Sequence, residues 1–289
     1  MDTTEVFDTH TPLIGVVHLP PLPGAPRSDR ERGREHLHEC ARLDAERLAE
    51  GGVDAVTVEN FGDAPFHPDD VPKHVVAEMT ALARTVREAC DLPVGVNVLR
   101  NDGLAAVAVA AAVRAAFCRV NVHVGARVAD QGLLEGAAHE TMRLRERIDA
   151  APGTTGVGDP AGRDARGVHV LADVDVKHSA PLAAGDWEAE SLAESAERGL
   201  ADGVIVSGAR TGRATPLAAV ERAVQRRDRL GLDVPVLVGS GVTPDSAGDL
   251  LSVADGAIVG TALKEGGETA APVDVGRVRE LVAAADEVR

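Results

Sequence analysis

Short apolar runs alternate with longer segments of helical periodicity along the whole chain. Leu13–His18, Asp54–Glu59, Val94–Leu99, Phe117–Val124, Val168–His178, Gly203–Ser207, Val234–Gly239 and Gly256–Gly260 are rich in Val, Leu and Ile. Most of them run into Gly, Pro, Asn or Asp, the punctuation that ends strands. Between them the spacing predicts helices over about 33–50, 73–90, 104–113, 133–149, 188–200 and 275–288. Mostly continuous apolar strands alternating with helices imply parallel strands buried on both faces. Eight such units in 289 residues favour one α/β domain over residues 1–289, a (β/α)8 TIM barrel. An open doubly wound sheet is the alternative, but no GxGxxG follows an early strand. The segment 151–167 (APGTTGVGDPAGRDARG) reads as a surface loop insertion on the face away from the catalytic loops.

One run breaks the apolar rule. In VHVLADVDVKH, Val168, Val170, Ala172, Val174 and Val176 form one phase, while His169, Leu171, Asp173, Asp175 and Lys177 form the other. If the Val/Ala phase faces the helices, two carboxylates and an ammonium point into the barrel. Desolvation makes that arrangement costly, so either a buried ion pair or an active site explains it. The same phase argument applied to the other strand ends brings in His18, Thr57, Glu59, Asn97, Arg119, Asn121 and His123, with Arg100, Asn101 and Asp102 just beyond the third strand. Barrel interiors are normally filled by Val, Ile and Leu, so five strands with polar inward ends point to a catalytic centre.

The last three strands end differently, in Ser207-Gly208 with Thr211-Gly212 beyond, in Gly239-Ser240-Gly241, and in Gly260-Thr261. Small residues let backbone N–H groups approach an anion, and loops after the last two strands are the usual phosphate site of a barrel. Tight turns alone would also use these glycines. A phosphate grip beside a chargeable centre suits a small phosphorylated carbohydrate. Proton abstraction next to a carbonyl is then the expected chemistry, as in an isomerase, epimerase or aldolase-like lyase. Glu59, Asp175 or His123 would be the base. Lys177 would stabilise an enolate. A Schiff base is disfavoured because two neighbouring carboxylates should hold the ammonium charged. Glu59 and Asp175, with Asp173, His18 and His123 near by, could hold a divalent metal, although no tight ligand spacing such as HExxH is present.

Composition narrows the partners. There are 46 acidic and 30 basic residues, a net charge of −16, which argues against nucleic acid or an anionic membrane. Only three of the basic residues are Lys (Lys73, Lys177, Lys264) and aromatics are 2%. Acidic, lysine-poor surfaces of this kind are expected of a salt-loving microbe. Cys40, Cys90 and Cys118 form no CxxC pair, and the N-terminus has no signal-peptide pattern, so a reduced cytoplasm is the expected home. The apolar stretch Leu104–Val113 is too short to span a membrane. Barrels often pair, but no seam is legible in this chain.

The segments HLPPLPGAP, VENFGDAPF, GVNVLRNDG, RVNVHVGA, DQGLLEG, ADVDVKH, IVSGARTG, LVGSGVT and GAIVGTALKEGG occur in this order over nearly the whole chain. They resemble the BtpA/SgcQ family. The resemblance implies a TIM barrel of the ribulose-phosphate-binding class. It also brings two functional settings, photosystem I biogenesis and sugar utilisation, but no catalytic residues. A non-catalytic assembly factor and a phosphosugar sensor therefore stand beside the enzyme reading. The loop from Ala151 to Gly167 departs from the family pattern by its length.

Overall fold

The computed structural model describes residues 1–153, 167–174, 176–182, 191–208 and 214–289. Asp175, Thr211, Gly212 and most of the 151–167 segment lie outside them. Eight parallel strands close into a barrel: β1 (Leu13–His18), β2 (Ala55–Glu59), β3 (Val94–Asn97), β4 (Phe117–Val120), β7 (His169–Asp173), β9 (Gly203–Val206), β10 (Val236–Val238) and β11 (Ala257–Val259). Around the barrel the order is β1, β11, β10, β9, β7, β4, β3, β2. The outer phase of each strand packs under helices α2 (Gly33–Gly51), α3 (Lys73–Ala89), α4 (Gly103–Val113), α5 (Ala138–Arg147), α6 (Leu217–Leu230), α7 (Pro244–Leu251) and α8 (Val275–Asp286). Val58, Val96, Val170 and Val204 are wholly buried there. No helix among the described residues is long and apolar enough to cross a membrane.

The inner phase forms a second core: Ile14, Val16, Ala55, Phe117, Leu171, Ile205, Leu237 and Ile258. A short N-terminal helix, α1 (Thr3–Phe7), adds Val6 and Phe7 to it, with Phe7 edge-on to Phe117 at 5.6 Å between ring centres. Asp2 caps this helix through the Thr4 N–H. Phe117 fits because β3 offers Gly95 beside it; a Cβ there would sit 2.1 Å from the ring. Gly95→Ala is therefore expected to cost about 1–3 kcal/mol by overpacking. A urea midpoint unchanged from wild type would show that the ring has room to move.

Four segments differ from the sequence expectation. The fourth strand stops at Val120, not Val124, because Asn101 takes over the backbone: Val122 N–H donates to Asn101 Oδ1 (2.6 Å), and Asn101 Nδ2 donates to the carbonyls of Val122 and Glu135 (both 3.1 Å). The residues expected to start a helix at 133 instead form a hairpin, β5 (Ala126–Ala129) and β6 (Gly132–Glu135), and α5 begins at Ala138. The fifth barrel strand, β7, is likewise shorter than 168–178. Its continuation, β8 (Ser179–Pro181), pairs antiparallel with β5. A small three-stranded sheet thus stands beside the mouth of the barrel. The 188–200 helix is described from Ser191 only and passes through a π-helical turn at Glu194–Arg198.

Candidate functional site

The strand ends open into a cavity of ≈ 1290 Å³. It takes residues from the loops after β1, β2, β3, β10 and β11, and from the β5–β6 turn through Asp130. The inner charges sit one layer below the mouth. Arg119 on β4 and Asp173 on β7 form a bidentate pair with an N–O distance of 2.9 Å, and both are buried. Asn121 Nδ2 donates to the same carboxylate. A carboxylate only accepts, so the Asn121 amide is fixed with Oδ1 turned away. That buried oxygen has no hydrogen-bond partner among the described residues, and Asn121 lines the cavity. It is an acceptor suited to a ligand hydroxyl.

Glu59 is held in the same way. Asn97 Nδ2 donates to Glu59 Oε2 at 2.7 Å, and Glu59 Oε1 lies 3.8 Å from His18 Nε2. Burial pushes the His18 pKa well below its ordinary value, with the nearby charges of Lys264 and Lys177 acting in the same direction, so the imidazole is neutral at pH 7. It faces Glu59 as a neutral ring, not as an ion-pair partner.

Lys177 reaches into the cavity and donates from Nζ to the Gly239 carbonyl at 3.0 Å. Its backbone carbonyl accepts from Arg100. Burial, and then the Arg119 charge, lower the Lys177 pKa to about 8; Asp173 and Glu59 oppose this without cancelling it. The expectation that neighbouring carboxylates would keep this ammonium fully charged is corrected. Asp173 is already neutralised by Arg119, so burial prevails. Arg100 is buried at the rim; its Nε has no hydrogen-bond partner among the described residues, and burial lowers its pKa.

The glycine loops meet the same space. Gly239, Ser240, Gly241, Gly260 and Thr261 all line the cavity. Gly241 has φ +69°, which a side chain would strain. Ser240 is tied to the preceding loop, accepting from Gly208 N–H at its Oγ (3.0 Å) and from Thr215 Oγ1 at its carbonyl (2.9 Å). Thr243 opens α7 with a reciprocal capping box to Ser246. Thr261 Oγ1 lies 2.9 Å from Thr269 Oγ1. Arg277, on the first turn of α8, is held beside this loop by a bond to the Ala262 carbonyl (2.8 Å) and lines the cavity with Arg27. Neither arginine was singled out by the strand-end phase, because Arg27 lies nine residues past β1 and Arg277 eighteen past β11.

Not every expected residue arrives. The two-residue alternation that put His123 beside Asn121 ends with β4, so His123 turns aside. It is buried against Gly199, its Nε2 2.8 Å from that carbonyl, and is not among the residues lining the cavity. Ser207 and Gly208 support the glycine loop and do not line the cavity. Asp102 caps α4 and accepts from Val71 N–H, a structural task. No three His, Cys, Asp or Glu side chains converge as a metal set among the described residues.

Solved structures of this shape include tryptophan synthase from Mycobacterium tuberculosis (TM-score 0.57, 19% identity, 97% of this chain and 96% of that one). Thiamine phosphate pyrophosphorylase from Pyrococcus furiosus is another (TM-score 0.55, 17% identity, 96% and 97% covered). At such identities the likeness is one of fold. Relatives by sequence are nearer. A protein of Thermococcus kodakarensis without an assigned function is 43% identical over 96% of both chains. The photosystem I biogenesis protein BtpA of Synechocystis is 40% identical over 99% of this chain and 92% of its own. The model of the BtpA family matches residues 9–287. This chain belongs to the BtpA family.

Proposed function

We propose that this barrel is an enzyme acting by acid–base chemistry on a small phosphorylated carbohydrate. One observation carries the reading: the Lys177 amine, with a pKa of about 8, is hydrogen-bonded to the first residue of the Gly239-Ser240-Gly241 loop, in the cavity that Glu59 also lines. A phosphate held by that loop and by the Gly260-Thr261 turn would be neutralised by Arg277. The sugar would then extend over Glu59, Lys177 and Asn121. Glu59, oriented by Asn97, takes a proton from the carbon next to a carbonyl. Lys177 gives its proton to the carbonyl oxygen, leaving an enediol. Glu59 then returns its proton to the former carbonyl carbon while the hydroxyl on the other carbon gives its proton back to the Lys177 amine, and the new carbonyl forms there.

The lowered Lys177 pKa supports a second route, in which the neutral amine adds to the carbonyl carbon and water leaves. Borohydride added with a keto-phosphosugar separates the two, since a reduced adduct on Lys177 by mass spectrometry appears only on the second route. The name of the Synechocystis relative supports a third reading, an assembly factor without catalysis. In that case Lys177→Ala, if folded, leaves the biogenesis phenotype intact.

The binding claim has a direct test. A phosphosugar at a hundred times its dissociation constant adds about 2.7 kcal/mol of stability, an easily read thermal shift. The shift is expected with sugar phosphates in wild type and should be lost in Gly241→Val, which strains the loop. Saturating sugar phosphates and inorganic phosphate, with and without Mg²⁺, Mn²⁺ or Zn²⁺, that leave the melting curve unmoved would sink the phosphate reading.

A further inference from the structure

One stretch of the cavity wall is of another kind. Leu19, Pro20, Pro21, Phe61, Ala64 and Phe66 line it continuously on the loops after β1 and β2. The chain has four Phe and no Tyr, and two of those four lie in this wall. The barrel order β10, β11, β1, β2 makes the wall the direct neighbour of the glycine loops along the rim. His18 is the joint between them. Its ring stands 4.9 Å from the Phe61 ring, and a Cβ on Gly260 would meet it at 2.6 Å.

The wall is built to keep its shape. Gly62 N–H donates to the Leu19 carbonyl (3.0 Å), and a Cβ on Gly62 would lie 2.3 Å from the Pro21 backbone. Leu22 N–H donates to Asp63 Oδ1 (2.7 Å), and Asn60 Nδ2 donates to Asp63 Oδ2 (3.0 Å). Asn60 Oδ1 accepts from Leu99 N–H (2.7 Å), which ties in the loop after β3. Three loops are thus stitched together behind two partly exposed Phe rings and two Pro rings. Flat faces held rigid beside an anion grip suit a planar ring carried by the same ligand as the phosphate, because aromatic and proline faces stack on π-systems at little ordering cost.

We propose that the ligand of this cavity is a phosphorylated sugar bearing a planar ring, of the nucleoside monophosphate type, with the ring on the Phe61–Phe66 wall and the phosphate on the glycine loops. The proposal rests on the phosphate reading above and adds the ring to it. Calorimetric titration of wild type with inorganic phosphate, ribose 5-phosphate, AMP and UMP tests both. The expected result is that at least one monophosphate binds tenfold or more tightly than ribose 5-phosphate. Phe61→Leu and Phe66→Leu, which keep the loops apolar, should then reduce monophosphate affinity at least tenfold more than ribose 5-phosphate affinity. Equal affinities in wild type, or equal losses in the variants, overturn the ring proposal and leave the phosphate reading standing. If none of the four compounds binds, the phosphate reading fails and the ring proposal with it.

Discussion

Asp44→Ala should cost about 3–5 kcal/mol of folding stability, with a fall in Tm on the order of 10 °C. Asp44, on α2, accepts from Lys264 Nζ at 2.6 Å and from Val273 N–H at 2.8 Å. Lys264 follows the last barrel strand and is 0% exposed. Removing the carboxylate strands an ammonium in the interior, together with a backbone donor, and that desolvation is the main cost. Burial already lowers the Lys264 pKa against the opposing pull of Asp44, so without Asp44 that pKa should fall further. Asp44→Ala/Lys264→Met removes the stranded charge and should recover most of the loss, since buried pairs can be replaced by apolar side chains at little cost. Urea denaturation of the two variants checks this. A loss below about 1 kcal/mol in the single variant, or no recovery in the double, would show that water reaches Lys264.

That pair marks a limit of what the chain discloses on its own. Asp44 and Lys264 are 220 residues apart and each looks ordinary in its own helix or loop. The barrel itself was legible, because parallel strands buried on both faces leave long apolar runs that survive any local ambiguity. The inward phase of Glu59, Asn97 and Asp173 was legible for the same reason, as period two holds while the strand lasts; Asn121 and Lys177 lie past the ends of β4 and β7 and reach the site from beyond them. That phase failed at His123, the residue after the Val122 N–H that Asn101 takes over. The β5–β6 hairpin was missed because its strands are four residues each, its turn is Asp130-Gln131 and not Asn-Gly, and Leu133-Leu134 fits a helical stripe. Helix α1 is five residues long and is fixed by contact with Phe117, which no local pattern encodes. Phe61 and Phe66 read as loop residues until the fold set them on one wall. The Lys177 environment was misjudged because the carboxylates are near it in sequence, whereas Arg119 is near it only across strands.

Lys177→Met should make the protein more stable at neutral pH, by about 2 kcal/mol, with the gain fading as pH rises. The Lys177 pKa is about 8 in the fold against an ordinary 10.5. Below pH 8 both the folded and the unfolded chain carry the proton, and the fold bears the full penalty of a desolvated ammonium. Between pH 8 and 10.5 the unfolded chain still binds a proton that the folded chain has released. Stability of the wild type therefore rises with pH through this window. A shift of this size is about 3–4 kcal/mol at most. Water at the mouth and the lost bond to the Gly239 carbonyl reduce the net gain of the Met variant. The buried Cys118 thiol, pushed up to about 12, titrates in both proteins and cancels in the difference. Urea midpoints of the two proteins, measured in parallel from pH 7 to 10.5, should converge. A difference that is constant with pH, or a Met variant less stable at pH 7, would mean that Lys177 is not held under electrostatic strain. In that case its chemical role would have to rest on position alone. A converging pair of curves would show stability given up to keep an amine that titrates near neutral pH, and a fold has no structural reason to retain such a group.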